Sequence, residues 1–468
     1  MASNRKLLVH GGRVLLASGV EPVDILIAEG RIAALLKDYP SPDVDDVLDA
    51  TGLVVLPGAI DGHTHFIPRD LEADSSDKPD DEGFVHGGRA AAAGGITSIV
   101  EMPQAYPSTV NARTFERKRA LSERDAIVDF AMWGGISPLT SSEDILGQVR
   151  SGAAGFKAYT SNGDPDMPGL SDIQIVDALS LLRSTGLMLG LHTENESLLQ
   201  AYQARLRASG RTDPLAHAEA RPAILEIEAV ARAILLAEYC GGRLHIVHVG
   251  SPRSAELVRS AKARGVRVTA ETCPQYLALN LEDLARLGPY GKCVPPLRSQ
   301  EEVEALWGYL GDGTIDCIAS DHCGYKKEAK EPGRSNIWNA PNGLPGVQTL
   351  LPAVITGARQ RGFSWEQIAR WTATNPARLW HLAPAKGSIT PGADADLVLV
   401  DPEWEWTVKE ADLLNAQKWS PFEGKKMKGR VRKTILRGET IYDDTHRERI
   451  TVDPGYGSFL RPSVPTGG

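Results

Sequence analysis

The segment Asp61-Gly62-His63-Thr64-His65 closes an apolar run, Leu53-Val54-Val55-Leu56-Pro57-Gly58-Ala59-Ile60, and brings two imidazoles to one place. Residues i and i+2 of a strand project to the same side, so His63 and His65 converge where an apolar strand meets solvent. Neutral imidazole nitrogens at that spacing suit a divalent cation. A His-x-His pair also occurs as ordinary polar residues at a strand end, so the chemistry depends on what accompanies it. Four more strand-like runs end in a potential ligand: Gly155-Phe156-Lys157-Ala158-Tyr159, Gly190-Leu191-His192-Thr193-Glu194-Asn195, His245-Ile246-Val247-His248-Val249-Gly250 and Ala319-Ser320-Asp321-His322. Singly, Lys157 reads equally as a surface amine or ion-pair partner, His192 and His248 as satisfied polar residues, and Asp321 as a helix cap. Gathered on one face, they read as a metal site.

Gathering them requires a scaffold. Apolar runs at 53–66, 96–103, 128–136, 153–160, 187–194, 243–250, 266–273 and 314–322 alternate with helical spacing such as Ser171 to Ser184 and Pro252 to Ala263. Eight βα repeats predict a TIM-like (β/α)8 barrel with chemistry at the C-terminal strand ends. A doubly wound open sheet is the alternative, but no G-x-G-x-x-G follows the first strand. Short β-like runs with Gly turns fill the first fifty residues, and the same texture returns in Asp396 to Val400 and Lys433 to Tyr442. The expected organisation is therefore a small β-sandwich domain built from both chain ends (1–55 and 385–450), a catalytic barrel (56–384) and a C-terminal tail (451–468).

The 468 residues, 24% charged and 42% hydrophobic with a net charge of -9, suit a globular protein with a large core and argue against a nucleic-acid or anionic-membrane partner. A small-molecule substrate is expected. Cys240, Cys273, Cys293, Cys317 and Cys323 are scattered without a CxxC pair, so neither a disulfide framework nor a thiolate zinc site is expected, and a reducing cytoplasm fits. The N-terminus runs from Met1 into a short strand pattern and no stretch reaches ~18 apolar residues, so neither export nor a membrane span is expected.

The chain resembles the cyclic amidohydrolases of the amidohydrolase superfamily, the hydantoinase, allantoinase, dihydropyrimidinase and dihydroorotase group, over nearly its whole length. Beyond His-x-His, the resemblance rests on Glu101-Met102-Pro103, Trp133-Gly134-Gly135, His192-Thr193-Glu194-Asn195, Glu271-Thr272-Cys273-Pro274-Gln275-Tyr276-Leu277, Pro295-Pro296-Leu297-Arg298, Asn342-Gly343, Asn375-Pro376-Ala377 and Gly392-Ala393-Asp394-Ala395-Asp396-Leu397. It implies two divalent ions held by His63, His65, a carboxylated Lys157, His192, His248 and Asp321, with zinc expected first and manganese, cobalt or iron as alternatives. His245 precedes the matching strand-six position by three residues and is expected to pack the strand. The implied reaction is hydrolysis of the cyclic amide bond of a five-membered ureide ring by a metal-bridging hydroxide, with Asp321 as general base and acid. An unmodified ammonium at Lys157 would repel both ions, whereas a carbamate is an anion with two oxygens able to bridge them.

The branch is set by departures from the pattern. Dihydropyrimidinases and D-hydantoinases resemble one another in a tyrosine five residues after the modified lysine; here that position is Asn162, and Tyr159, two residues after Lys157, points to the same face. Allantoinases carry Cys-Ser-Pro-Pro-Ile-Arg where this chain has Cys293-Val294-Pro295-Pro296-Leu297-Arg298. The hydantoinase reading is favoured, with allantoinase as the alternative, and dihydropyrimidinase or a non-catalytic scaffold behind it. Val294, Asn342 and Tyr159 are the expected contacts to a cyclic ureide or imide substrate. A homodimer or homotetramer is implied. The acidic loop Asp70 to Glu82 reads as a mobile lid or a solvated surface loop, and the tail aromatics Tyr456 and Phe459 as flexible or interface-packed.

Overall fold

Gly58 divides the first apolar run. Val54–Pro57 pairs antiparallel with Leu397–Thr407 and parallel with Arg13–Leu16, whereas Ala59–His65 enters a parallel sheet. A side chain at Gly58 would collide with Thr97, so the chain can pass this close to the next strand only with glycine there. The expected single strand 53–66 is thus two strands serving different sheets, a break that its uniform apolar composition hides.

The computed structural model describes residues 5–37, 43–67, 71, 82–162 and 166–463. Its parallel strands are β1 (Ala59–His65), β2 (Ile96–Glu101), β3 (Asp129–Met132), β4 (Phe156–Tyr159), β5 (Met188–His192), β6 (Arg243–Ile246), β7 (Val268–Thr272) and β8 (Cys317–Ile318). Each lies inside one of the eight expected runs. Neighbours pair in sequence order: β1 with β2, β2 with β3, and β4 through β8 in turn. Gly134–Gly135 carries the third strand on to β4, and His322–Cys323 pairs back onto Thr64 and His65 of β1, closing the TIM barrel.

The intervening helices start where side chains satisfy their free N–H groups. Ser171 and Gln174 form a capping box at Asp172–Arg183, and Pro252 opens Pro252–Ala263 where its missing N–H has no helical partner to lose. Both ends of the chain meet in a second body. A four-stranded sheet (Arg31–Leu36, Asp24–Ala28, Lys6–His10, Asp46–Asp49) faces a six-stranded one (Glu439–Asp443, Lys426–Leu436, Leu397–Thr407, Val54–Pro57, Arg13–Leu16, Gly19–Pro22). Val9, Val14, Ile25, Ile27, Val55, Leu397, Leu399 and Ile435 fill the space between them. The barrel interior is filled by Ile60, Val100, Ala131, Trp133, Met188, Cys317 and Trp380.

The tail is docked. Phe130 N donates to Ser458 O, Leu460 N to Phe130 O, and Phe459 packs against Phe115 and Phe130. The edge of β3 offers unpaired backbone groups that the Gly/Pro-rich composition of the tail gives no hint of. Apart from Leu71 and Glu82, the acidic loop lies outside the described residues. The five cysteines are all free thiols, and no helix among the described residues is long and apolar enough to cross a membrane.

Candidate metal centre and active site

Gly62 is what allows β1 to present two histidines. A Cβ there would overlap the Trp380 ring, and the Gly62 carbonyl accepts the Trp133 indole N–H at 2.9 Å. On either side of this anchor, His63 and His65 turn into the cavity with ring centroids 5.2 Å apart. Asp321, just beyond β8, reaches both: its Oδ1 lies 3.2 Å from His63 Nε2 and 3.3 Å from His65 Nε2. These three offer ligand atoms all within 4.8 Å of one another.

A second group completes the ring of strand ends. His192 Nδ1, from β5, lies 2.9 Å from His248 Nε2, which follows β6, and the His248 ring is 5.5 Å from that of His63. Lys157 on β4 is buried beside them, its Nζ 5.0 Å from the Tyr159 ring. All six residues expected at strand tips therefore line one cavity of about 490 Å³, together with Tyr159, Val294 and Asn342. Asn162 faces elsewhere, accepting from Gly169 N at 3.0 Å. His245 packs between Trp133 and Trp380 and bonds Thr269 Oγ1 at 2.8 Å.

Buried carboxylates select which nitrogen of His63 and of His192 faces the cavity. Glu271 Oε1 accepts from His63 Nδ1 at 2.5 Å, leaving the His63 Nε2 lone pair for a ligand. Glu194 Oε2 accepts from His192 Nε2 at 2.9 Å, leaving Nδ1. Fixing a histidine's tautomer through its other nitrogen is how proteins orient metal ligands. Burial pushes His63, His192 and His248 below the ordinary imidazole range, toward the neutral form that ligates. Burial opposes ionisation of Asp321, yet His63, His65 and Lys157 outweigh it and hold the carboxyl below its usual value. His248 Nδ1 is buried without a hydrogen-bond partner among the described residues. Four imidazoles and a carboxylate, two of the imidazoles with tautomers already set, fit a divalent-ion centre.

Both His248 (φ 40°) and Asp321 (φ 50°) hold left-handed backbone conformations. Non-glycine residues rarely sit there unless the surroundings impose it, and such strain concentrates at functional sites.

Several residues that position this centre have no role assigned from sequence. Glu194 is itself held by Arg221, and Glu101 accepts from Thr64 Oγ1, Phe66 N, Ile67 N and the buried Lys118 ammonium, fixing the chain just after His65. His322 Nδ1 accepts from Gly346 N and Val347 N while its Nε2 meets Glu82. Glu101, Glu194 and Glu271 all lie within the motifs quoted above, which was the available signal; their partners are set by distant segments.

Residues 54–441 match the model of the amidohydrolase family. The chain is 40% identical to an allantoinase of Rubrobacter xylanophilus over 98% of each chain. It is 34% identical to an L-hydantoinase of Paenarthrobacter aurescens over 97% of each. Among solved structures, the L-hydantoinase (dihydropyrimidinase) from Arthrobacter aurescens superposes with a TM-score of 0.92 at 33% identity, covering 98% of this chain and 100% of that one.

Proposed function

The chain belongs to the amidohydrolase family, and from that premise we propose that it opens the cyclic amide bond of five-membered ureide rings as a hydantoinase-type hydrolase. The observation that carries this is the convergence of His63, His65, Lys157, His192, His248 and Asp321 on one cavity, with Glu271 and Glu194 presetting two imidazoles. These six residues would hold two divalent ions, zinc first, with manganese, cobalt or iron as alternatives, and Lys157 would carry a carboxylate on its amine. When bound, the ions would supply Lewis acidity, lowering the pKa of the attacking water and polarising the substrate carbonyl.

The protein's own groups do the rest. Asp321, ionised and facing the cavity, takes the proton of the attacking water as its oxygen bonds to the ring carbonyl carbon, and returns it to the leaving ring nitrogen as the C–N bond breaks. Tyr159, on the same face as Lys157, would donate its hydroxyl to the developing oxyanion. Val294 and Asn342 would contact the amide edge of the ring; the Asn342 Oδ1 is buried without a partner among the described residues and calls for a substrate N–H.

A second reading is allantoinase. Allantoin is itself a hydantoin with a ureido substituent, and the Rubrobacter xylanophilus allantoinase shares more identity than the L-hydantoinase does. The same proposal has the enzyme act in the cytoplasm as a homodimer or homotetramer, as the family resemblance implies. Lys157→Ala and Asp321→Ala test the mechanism: each should abolish ring opening while leaving circular dichroism unchanged, and robust turnover by either metal-replete variant overturns it.

A further inference from the structure

Lys292 and Lys330 are buried lysines that the proposed reaction does not use. They come from different segments, Lys292 from the turn leading into Cys293-Val294 and Lys330 from the end of the short helix Lys327–Lys330. Among the described residues neither forms an ion pair with a carboxylate. Their donors go to backbone carbonyls instead: Lys292 Nζ to Ile337 O at 2.8 Å and Ala340 O at 2.5 Å, Lys330 Nζ to Pro341 O at 2.9 Å and Lys292 O at 3.3 Å. The Lys330 ammonium also stands 5.6 Å from the Tyr325 ring and 5.8 Å from that of Trp419.

Burying an ammonium without an anion is costly unless something organised needs its donors. Here residues 337–343 run as one short 3-10 turn followed by irregular chain, whose carbonyls have no regular ladder to satisfy them. An ammonium carries three donors and suits such a cluster. The carbonyl of Lys292 accepts from both Lys330 Nζ and Gly343 N, the latter at 3.0 Å, while the Cys293 carbonyl accepts from His217 Nε2 at 2.8 Å. The two lysines therefore join the segment ending in Val294 to the segment ending in Asn342, the two edges of the cavity assigned to the ring.

Resting on that assignment, we infer that Lys292 and Lys330 are positioning residues that clamp the 292–294 and 337–343 segments together and so present Val294 and Asn342 to the ring amide. Neither lysine lines the cavity, and both act through backbone.

The test compares wild type with Lys292→Met and Lys330→Met by hydrogen exchange, metal content, and kcat and KM for hydantoin and allantoin. Exchange in 292–294 and 337–343 should accelerate by about tenfold or more while Ile96–Glu101 stays protected, and KM should rise about tenfold with kcat changed by less than about threefold. Metal per chain should not change. Unaltered exchange in both segments overturns the inference, as does a collapse of kcat with KM unchanged. If wild type opens neither ring, the catalytic reading falls by itself, and the exchange comparison still decides whether the clamp exists. Should a methionine variant misfold, Lys292→Gln and Lys330→Gln keep a donor without charge; they should show a smaller acceleration in the same two segments, and wild-type exchange there overturns the inference.

Discussion

Replacing Glu271 by glutamine separates the charge of this residue from its shape. The carboxylate uses both oxygens: Oε1 faces His63 Nδ1 at 2.5 Å and His248 N at 3.3 Å, and Oε2 faces His245 Nε2 at 3.2 Å. In Glu271→Gln the amide oxygen can keep His63, and the amide nitrogen then meets His245 Nε2, which accepts once the ring proton moves to Nδ1 and Thr269 Oγ1 at 2.8 Å. The hydrogen bonds to both histidines are kept, so the loss is chiefly the charge assistance, about 1–1.5 kcal/mol from the difference between charged and neutral hydrogen bonds. That corresponds to metal affinity weakened about tenfold. Glu271→Ala strands two imidazole donors as well and should weaken it about a hundredfold. Chelator competition at fixed pH measures both, and kcat at saturating metal should recover to within about threefold of wild type for Glu271→Gln. Wild-type affinity in both variants, or equal losses in the two, would refute the claim that this carboxylate presets His63 partly through its charge.

Other consequences are as direct. Lys386 is buried among Asp129, Asp394 and Asp396, at 2.7, 3.0 and 2.8 Å, at the N-terminal end of β3 and away from the chemistry; Lys386→Met should cost about 3 kcal/mol in urea unfolding, discounted because Arg437 still pairs with Asp129, and leave kcat/KM within about twofold. Val294→Ser should raise kcat/KM for allantoin relative to 5-alkyl hydantoins by about three- to tenfold, and an unchanged ratio removes Val294 from the specificity argument. Burial, then repulsion from Lys292 partly offset by Cys323 and Cys293, pushes Lys330 down to about 7, and burial with Arg221 and Arg207 does the same to Lys292. Between that value and the ordinary lysine range the unfolded chain binds more protons than the folded one, so unfolding midpoints should rise from pH 7 to 8.5 and do so less steeply in Lys330→Met.

The barrel was legible because a parallel sheet buried on both faces writes each strand as an apolar run ending in a polar tip. The six tip residues that line the cavity were legible for the same reason: a tip such as His192-Thr193-Glu194 or Ser320-Asp321 interrupts such a run where chemistry would sit. Period-two spacing also carried Tyr159 into the cavity with Lys157, while His245, which the resemblance left out of the site, packs between Trp133 and Trp380. What composition did not reveal was long-range. The break at Gly58 comes from Thr97, thirty-nine residues away, and the docking of Phe459 from the open edge of β3. Glu271 and Glu194 stood in quoted motifs without roles because a carboxylate's partner is a fact of folding: His63 lies 208 residues from Glu271 in the chain. The carbonyl cluster around Lys292 and Lys330 was equally silent, since a lysine held by backbone leaves no partner residue in the sequence to find.

The most direct test of the central claim is kcat/KM for hydantoin, 5-substituted hydantoins, allantoin, dihydrouracil and dihydroorotate on protein of assayed metal content, with and without added zinc, manganese or cobalt. The account predicts two divalent ions per chain and rapid opening of five-membered ureide rings that is lost on chelation and restored by metal. Protein with two bound ions that opens none of these rings, or protein that opens them with no metal bound, would contradict it.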